Sequence, residues 1–237
     1  DTGGVYNVEL LVTSDYGCQD SITQPVLVHH NPVADFNFTN VCNEQVNVFT
    51  DASIVNVGNI SEWLWGFGDP LGSSAISQDT AFEYPSPGSY QVNLSVTTNF
   101  GCSDDTTQTV RVYDNPEADF TITDECRKFA PTITDLSTIA TGSIDQWIWD
   151  YDDGDSAFVQ SPPDHYYSSA GNYDVTLIVV SDNNCSDTIT QPLEIYPMPV
   201  ADFDFSDVCL GEDAQFTDQS SINGGSILGR LYDFGDG

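Results

Sequence analysis

Three stretches of the chain alternate between apolar and polar positions. In "YQVNLSVTT", Tyr90, Val92, Leu94 and Val96 are interleaved with Gln91, Asn93, Ser95 and Thr97. Tyr173, Val175, Leu177 and Val179 repeat the pattern, and "YNVELLVTS" from Tyr6 is a third copy. A period of two is that of a strand with one face buried. Trp63, Trp65 and Phe67 share one strand face in the same way, matched by Trp147, Trp149 and Tyr151. Helical periodicity is absent. Turn signals such as "NFGC", "SPGSY", "SAGNY" and "DDGD" separate the strands. The pattern predicts an all-β chain built from sandwiches of about seven strands each.

The copies share one register. Trp65, Trp149 and Tyr232 are spaced by 84 and then 83 residues. So are Asp35, Asp119 and Asp202 of "PVADF", "PEADF" and "PVADF", the cysteines Cys18, Cys102 and Cys185, and the cysteines Cys42, Cys126 and Cys209. Four markers at one interval define a tandem repeat. Residues 1–30 are expected to be the closing part of one copy, 31–114 and 115–197 two full copies, and 198–237 the opening of another. The terminal "LYDFGDG" then reads as a turn inside a repeat, and the chain as a window on a longer array.

Composition narrows the function. Four Lys and Arg face 37 Asp and Glu, a formal net charge of −33. Nucleic acid and anionic membrane surfaces are poor partners for such a chain, because phosphate binding needs basic side chains. No apolar run reaches the ~18 residues of a membrane helix. Aromatic residues at 12% argue for a packed core rather than disorder.

The motifs "WDYDDGD", "HYY" at His165–Tyr167 and "GNYDVTLIV" from Gly171, in that order, resemble the PKD domain, an Ig-like β-sandwich. The first full copy departs from the pattern at Gly66 and Pro70 and has "FEYPSPGSY" in place of the His motif, and the last copy has Tyr232 for the Trp. These departures touch local turn shape. The resemblance implies tandem Ig-like PKD sandwiches arranged end to end. With paired "VC" and "GC" cysteines, it extends to the arrays of large surface adhesins of gliding bacteria exported by the type IX route.

Candidate chemistry is sparse. His29, His30 and His165 are the three histidines. His165 falls on the family's core position, which implies a structural hydrogen bond, and His29 and His30 form a linker pair. No nucleophile elbow, zinc-protease or phosphate-loop motif occurs, so no catalytic residue is expected. Asp150, Asp152, Asp153 and Asp155 cluster around Gly154 and are calcium candidates, since calcium takes six to eight oxygens. The competing reading is a turn held by Asp side chains on backbone N–H groups. "YDNPEADF" from Tyr113 is similar to a cadherin calcium linker, but the other two junctions lack the acidic residue.

Six cysteines, two per repeat in fixed register, predict disulfides and an oxidising compartment. Two connectivities are open. One pairs within a repeat, Cys42 with Cys102 and Cys126 with Cys185. Under the Ig topology that the resemblance implies, Cys42 belongs near one pole and Cys102 near the other, which suggests Cys42 with Cys185 across a junction.

Together these features lead to a non-catalytic stalk or fibre segment of a large extracellular, cell-surface adhesin. Its expected partners are neighbouring repeats of the same chain, surface polysaccharide, or a host or substratum. No cofactor is expected beyond the calcium candidate. The alternative is a carbohydrate- or protein-binding accessory module of a secreted enzyme. That reading needs Trp63, Trp65, Trp147 and Trp149 as an exposed platform, whereas their shared strand face reads as core.

Overall fold

The computed structural model describes residues 3–235. Asp1, Thr2, Asp236 and Gly237, from the expected 1–30 and 198–237 segments, lie outside them. The described residues are all-β, in two compact units, Asp1–Asp114 and Asn115–Gly237.

The first unit opens with a hairpin of β1 (Gly4–Thr13) and β2 (Gln19–Val28), paired from Gly4↔Val28 to Thr13↔Gln19. A sandwich follows: β3 (Phe36–Asn37), β4 (Val41–Cys42), β5 (Val46–Asp51), β6 (Ile60–Gly66), β7 (Ser74–Ala75), β8 (Thr80–Glu83), β9 (Gly88–Thr98) and β10 (Ser103–Tyr113). One sheet has the order β3-β5-β8, the other β4-β10-β9-β6-β7. The first strand of the repeat is thus split. β3 pairs antiparallel with β5, then the chain crosses and β4 runs parallel to the end of β10, with Cys42 opposite Tyr113.

Alternation translates directly into burial. Val92, Leu94 and Val96 are buried, and Trp65, set opposite Leu94, reaches 0% exposure. Phe36 and Phe49 from the smaller sheet close the core over it. A fully buried Trp withdraws roughly 200 Å², worth about 5 kcal/mol. In the hairpin, Tyr6, Val8, Leu10 and Val12 occupy the same positions but are 43–60% exposed, because this ladder has two strands and no second sheet covers it among the described residues.

The second unit repeats the plan with β11 (Phe120–Ile122), β12 (Glu125–Cys126), β13 (Ile133–Asp135), β14 (Ile144–Asp150), β15 (Ser156–Ala157), β16 (Gly171–Ser181) and β17 (Ser186–Tyr196). Its large sheet is β12-β17-β16-β14-β15, with Trp149 opposite Leu177. The smaller sheet has only β11-β13. The counterpart of β8 is missing where Pro162 and Pro163 stand in place of Asp79 and Thr80, because proline has no N–H for the ladder. A bulge recurs near the start of the Trp strand, between Ile60 and Glu62 and between Ile144 and Gln146, and restores the inward set after one extra residue. The unit ends with β18 (Phe203–Phe205) paired to β19 (Phe216–Asp218).

Candidate functional site

The Asp turn follows the Trp strand. Asp152 takes φ 61° and Gly154 φ 97°, a left-handed geometry that Gly and Asp tolerate better than most residues. Asp150 Oδ1 accepts the Asp152 N–H at 3.0 Å, Asp153 Oδ1 accepts that of Asp155 at 3.1 Å, and Asp152 Oδ2 accepts that of Asp174 at 3.1 Å. Each of these three carboxylates therefore holds backbone. The structure gathers Asp153 and Asp155 with His165, their ligand atoms all within 4.8 Å of one another. Asp150 and Asp152 are not part of that group. One imidazole nitrogen with two carboxylates is a donor set closer to a transition metal than to oxygen-seeking calcium.

The family resemblance implies a structural hydrogen bond for His165, but its packing was not visible in the sequence. His165 stacks on Tyr151 with centroids 4.0 Å apart and meets Tyr167 edge-on at 4.7 Å. Its Nε2 lies 2.8 Å from Asp153 Oδ2. In the first repeat the same places are taken by Phe82, stacked on Phe67 and edge-on to Tyr84. The tyrosine hydroxyls tie the layer to the turn, Tyr84 to the Phe67 carbonyl at 3.0 Å and Tyr167 to that of Tyr151 at 3.1 Å. Burial, reinforced by the charge of Asp69 or Asp153, pushes Tyr84 and Tyr167 well above the usual phenol range. Tyr151 is raised for the same two reasons, and its buried hydroxyl has no hydrogen-bond partner.

The first-repeat turn keeps one carboxylate. Burial works to raise Asp69, but hydrogen bonds from the Ser73 N–H, the Ser73 hydroxyl and the Leu71 N–H outweigh it and hold the group below the ordinary carboxylate value.

A second recurring set was missed in the sequence. Trp63 Nε1 donates to Asp51 Oδ2 at 2.8 Å and Trp147 Nε1 to Asp135 Oδ2 at 2.9 Å. In the last copy Arg230 Nε takes the indole's place on Asp218. The other oxygen of each Asp accepts the N–H two residues on, from Ser53, Ser137 or Ser220. The signal was there: Asp-x-Ser twelve residues before Trp or Arg in three copies. The Ser220 side chain first, then Arg230, depress Asp218 to about 2. The inner tryptophans Trp65 and Trp149 instead donate to the carbonyls of Ser77 and Val159. None of the four is an exposed surface residue.

The "GC" cysteines sit in a tight turn that is the same three times over. In the full copies, Thr98 and Ser181 donate N–H to the carbonyls of Cys102 and Cys185, and their hydroxyls receive the cysteine N–H in return. Ser14 and Cys18 repeat the exchange. The residue before each cysteine is left-handed, Gly17 at 82°, Gly101 at 79° and Asn184 at 61°, which explains why Gly or Asn stands there. His29 stacks on Phe100 of this turn at 3.7 Å.

Cys42 and Cys185 are disulfide-bonded; Cys18, Cys102, Cys126 and Cys209 are free. This corrects the pairing within a repeat, and the reason is strand length. Cys42 lies beside Tyr113 at one end of β10, and Cys102 precedes Ser103 at the other. The strand separates them by about 33 Å at ~3.3 Å per residue, whereas a disulfide requires Cα atoms within about 7 Å. Cys126 beside Tyr196 and Cys185 before Ser186 are held apart by β17 in the same way.

Two non-identical sandwiches with a shared Trp strand, tyrosine layer and cysteine turn are therefore present, and the family model of the PKD domain matches residues 29–114 and again 113–197. The chain belongs to the PKD domain family. Solved PKD domains are similar to single repeats. The PKD1 domain of Vibrio anguillarum Epp is 26% identical, with 35% of this chain and 95% of that one covered, at a TM-score of 0.33. The PKD1 domain of the Vibrio cholerae metalloprotease PrtV is 32% identical over 35% and 98%, at 0.32. Fibronectin(III)-like modules of Clostridium thermocellum CbhA are 14% identical over 69% and 94%, at 0.39. PKD domains are accessory or structural modules of extracellular or secreted proteins, and no helix among the described residues is long and apolar enough to cross a membrane.

Proposed function

We propose that this tandem PKD chain is a non-catalytic stalk segment of a large extracellular adhesin, in which a disulfide between Cys42 and Cys185 bolts one repeat to the next. The observation that carries the reading is the cysteine pattern. The two bonded cysteines belong to successive repeats, one of the "VC" class and one of the "GC" class, and the strand-length argument denies each a partner inside its own copy. The partners of such a segment are its neighbouring repeats. Surface polysaccharide, host or substratum are its further proposed partners, and the resemblance to arrays of gliding bacteria exported by the type IX route fits this role. The accessory-module alternative is disfavoured because the tryptophans it needs are in the core or bonded to Asp51 and Asp135.

The scarcity of basic residues makes the test simple. Trypsin has sites only after Arg111, Arg127, Lys128 and Arg230. Under non-reducing conditions the proposed bond keeps peptide 1–111 attached to peptide 129–230. Attachment of the peptide carrying Cys126 to peptide 129–230, with 1–111 released alone, would instead restore the pairing within repeats and remove the bolt.

A further inference from the structure

We infer that, in the oxidised chain, tension applied at the two ends bypasses residues 43–184 and is carried by β3 and β4 in the first sandwich and by β17 in the second. The inference rests on the proposed Cys42–Cys185 bond and deepens it. A covalent bond between these residues offers a shorter route for force than the backbone between them. Residues 43–184 then hang as a closed loop off the loaded path. That loop holds nearly everything that makes the two cores: Phe49, Trp65, Leu94 and Val110 of the first, and Trp149, Val175 and Leu177 of the second. At ~3.4 Å per residue the loop takes about 480 Å of contour out of reach of stretching.

What stays on the path is short. Before Cys42 it is the β1–β2 hairpin, β3, paired to β5 at two positions, and β4. After Cys185 it is β17, which is paired to β16 from Gly171↔Ile195 to Val180↔Ser186 and is loaded along its own length, and then the β18–β19 pair. Yielding of any one of these elements releases less than about 100 Å by the same rise. Reduction opens the loop and puts both sandwiches in series with the load. Oxidation state thereby sets whether the segment is an inextensible strap or a chain of unfolding modules.

Single-molecule stretching of the whole chain, gripped at its two ends, tests this, with the non-reducing tryptic map run on the same preparation. After reduction, two release events of about 250 Å each are expected, one per ~83-residue repeat. Oxidised chain pulled to the same force should give none larger than about 100 Å. Cys42→Ser without reductant should behave like the reduced chain; if that variant does not fold, reduced wild type serves alone. Full-length releases from chain whose 1–111 and 129–230 peptides are shown to be linked overturn the inference while leaving the bond standing. A map without that link overturns the bond itself. Absence of releases from both oxidised and reduced chain also sinks the inference, since oxidation would then control nothing.

Discussion

Phe82 and His165 fill the same place in successive repeats: each lies flat on the ring at the start of its turn, at 4.3 Å and 4.0 Å, with an interplanar angle of 4° in both. The position is therefore defined by a flat ring between two aromatic neighbours, and the Asp153 contact is an addition. His165→Phe should keep the second repeat within about 1 kcal/mol of wild type. His165→Ala should cost about 1–3 kcal/mol through the lost stack and hydrogen bond. Urea denaturation followed by tryptophan emission reads both, and equal losses would refute the ring argument.

Alkali should unfold the sandwiches through their buried tyrosines. Tyr84 and Tyr167 are raised above the ordinary phenol value of about 10 in the fold. A group so raised contributes stability that is complete below its unfolded value and is lost as pH rises through the folded one. Stability should thus be flat up to pH 10 and fall beyond it. Tyr84→Phe should cost the first repeat about 1 kcal/mol at neutral pH, by orphaning the Phe67 carbonyl, and should reduce the alkaline slope. Ultraviolet titration should show a class of tyrosines that ionises only with unfolding.

Acid should act through Asp69 with the opposite sign. Its pKa is lowered in the fold from 3.8, so its contribution is present above that value and drains away as pH falls through the depressed one. Asp69→Asn should lower the melting temperature of the first repeat at pH 7, and the gap from wild type should close as pH is taken below about 4. A gap that stays constant with pH would mean that the charge is not what Ser73 and Leu71 recognise.

The calcium proposal for Asp150, Asp152, Asp153 and Asp155 predicts that millimolar calcium raises the melting temperature of the second repeat and that a chelator reverses it. Commitment of three of these carboxylates to backbone N–H groups and His165 in the remaining cluster lead us to expect no shift. Asp155→Ala is then expected to change stability by less than about 1 kcal/mol. A calcium-dependent rise abolished by Asp155→Ala would establish the site.

Much of the fold was legible because period-two alternation and an 83–84-residue register report burial directly. Leu94, Leu177 and both inner tryptophans needed nothing more. The split of the first strand into β3 and β4 was not visible, since a strand that changes sheets keeps its alternation. The loss of a β8 equivalent could have been read from Pro162 and Pro163. Asp51, Asp135 and Asp218 escaped notice because a carboxylate facing an indole or guanidinium N–H twelve residues away looks like any other surface Asp in so acidic a chain. The disulfide choice was open only because the position of Cys42 along β10 depends on that same sheet crossing.

The corner between the "ADF" strand and the next one has a further consequence. In both full copies a serine hydroxyl clamps the aspartate backbone, Ser53 on Asp35 and Ser137 on Asp119. Ser220 does the same on Asp202 at 3.2 Å, beside a Phe203 that is still 48% exposed. The clamp is thus satisfied by residues about eighteen apart, without the long strands that later bury it. Contacts so near in sequence close early. A chain threaded outward from its N-terminus would present each repeat as a finished corner before the rest of that repeat emerged. Folding of a long array would then advance as a series of local starts, each giving the following strands an edge to land on and limiting the time during which neighbours of the same fold can exchange strands.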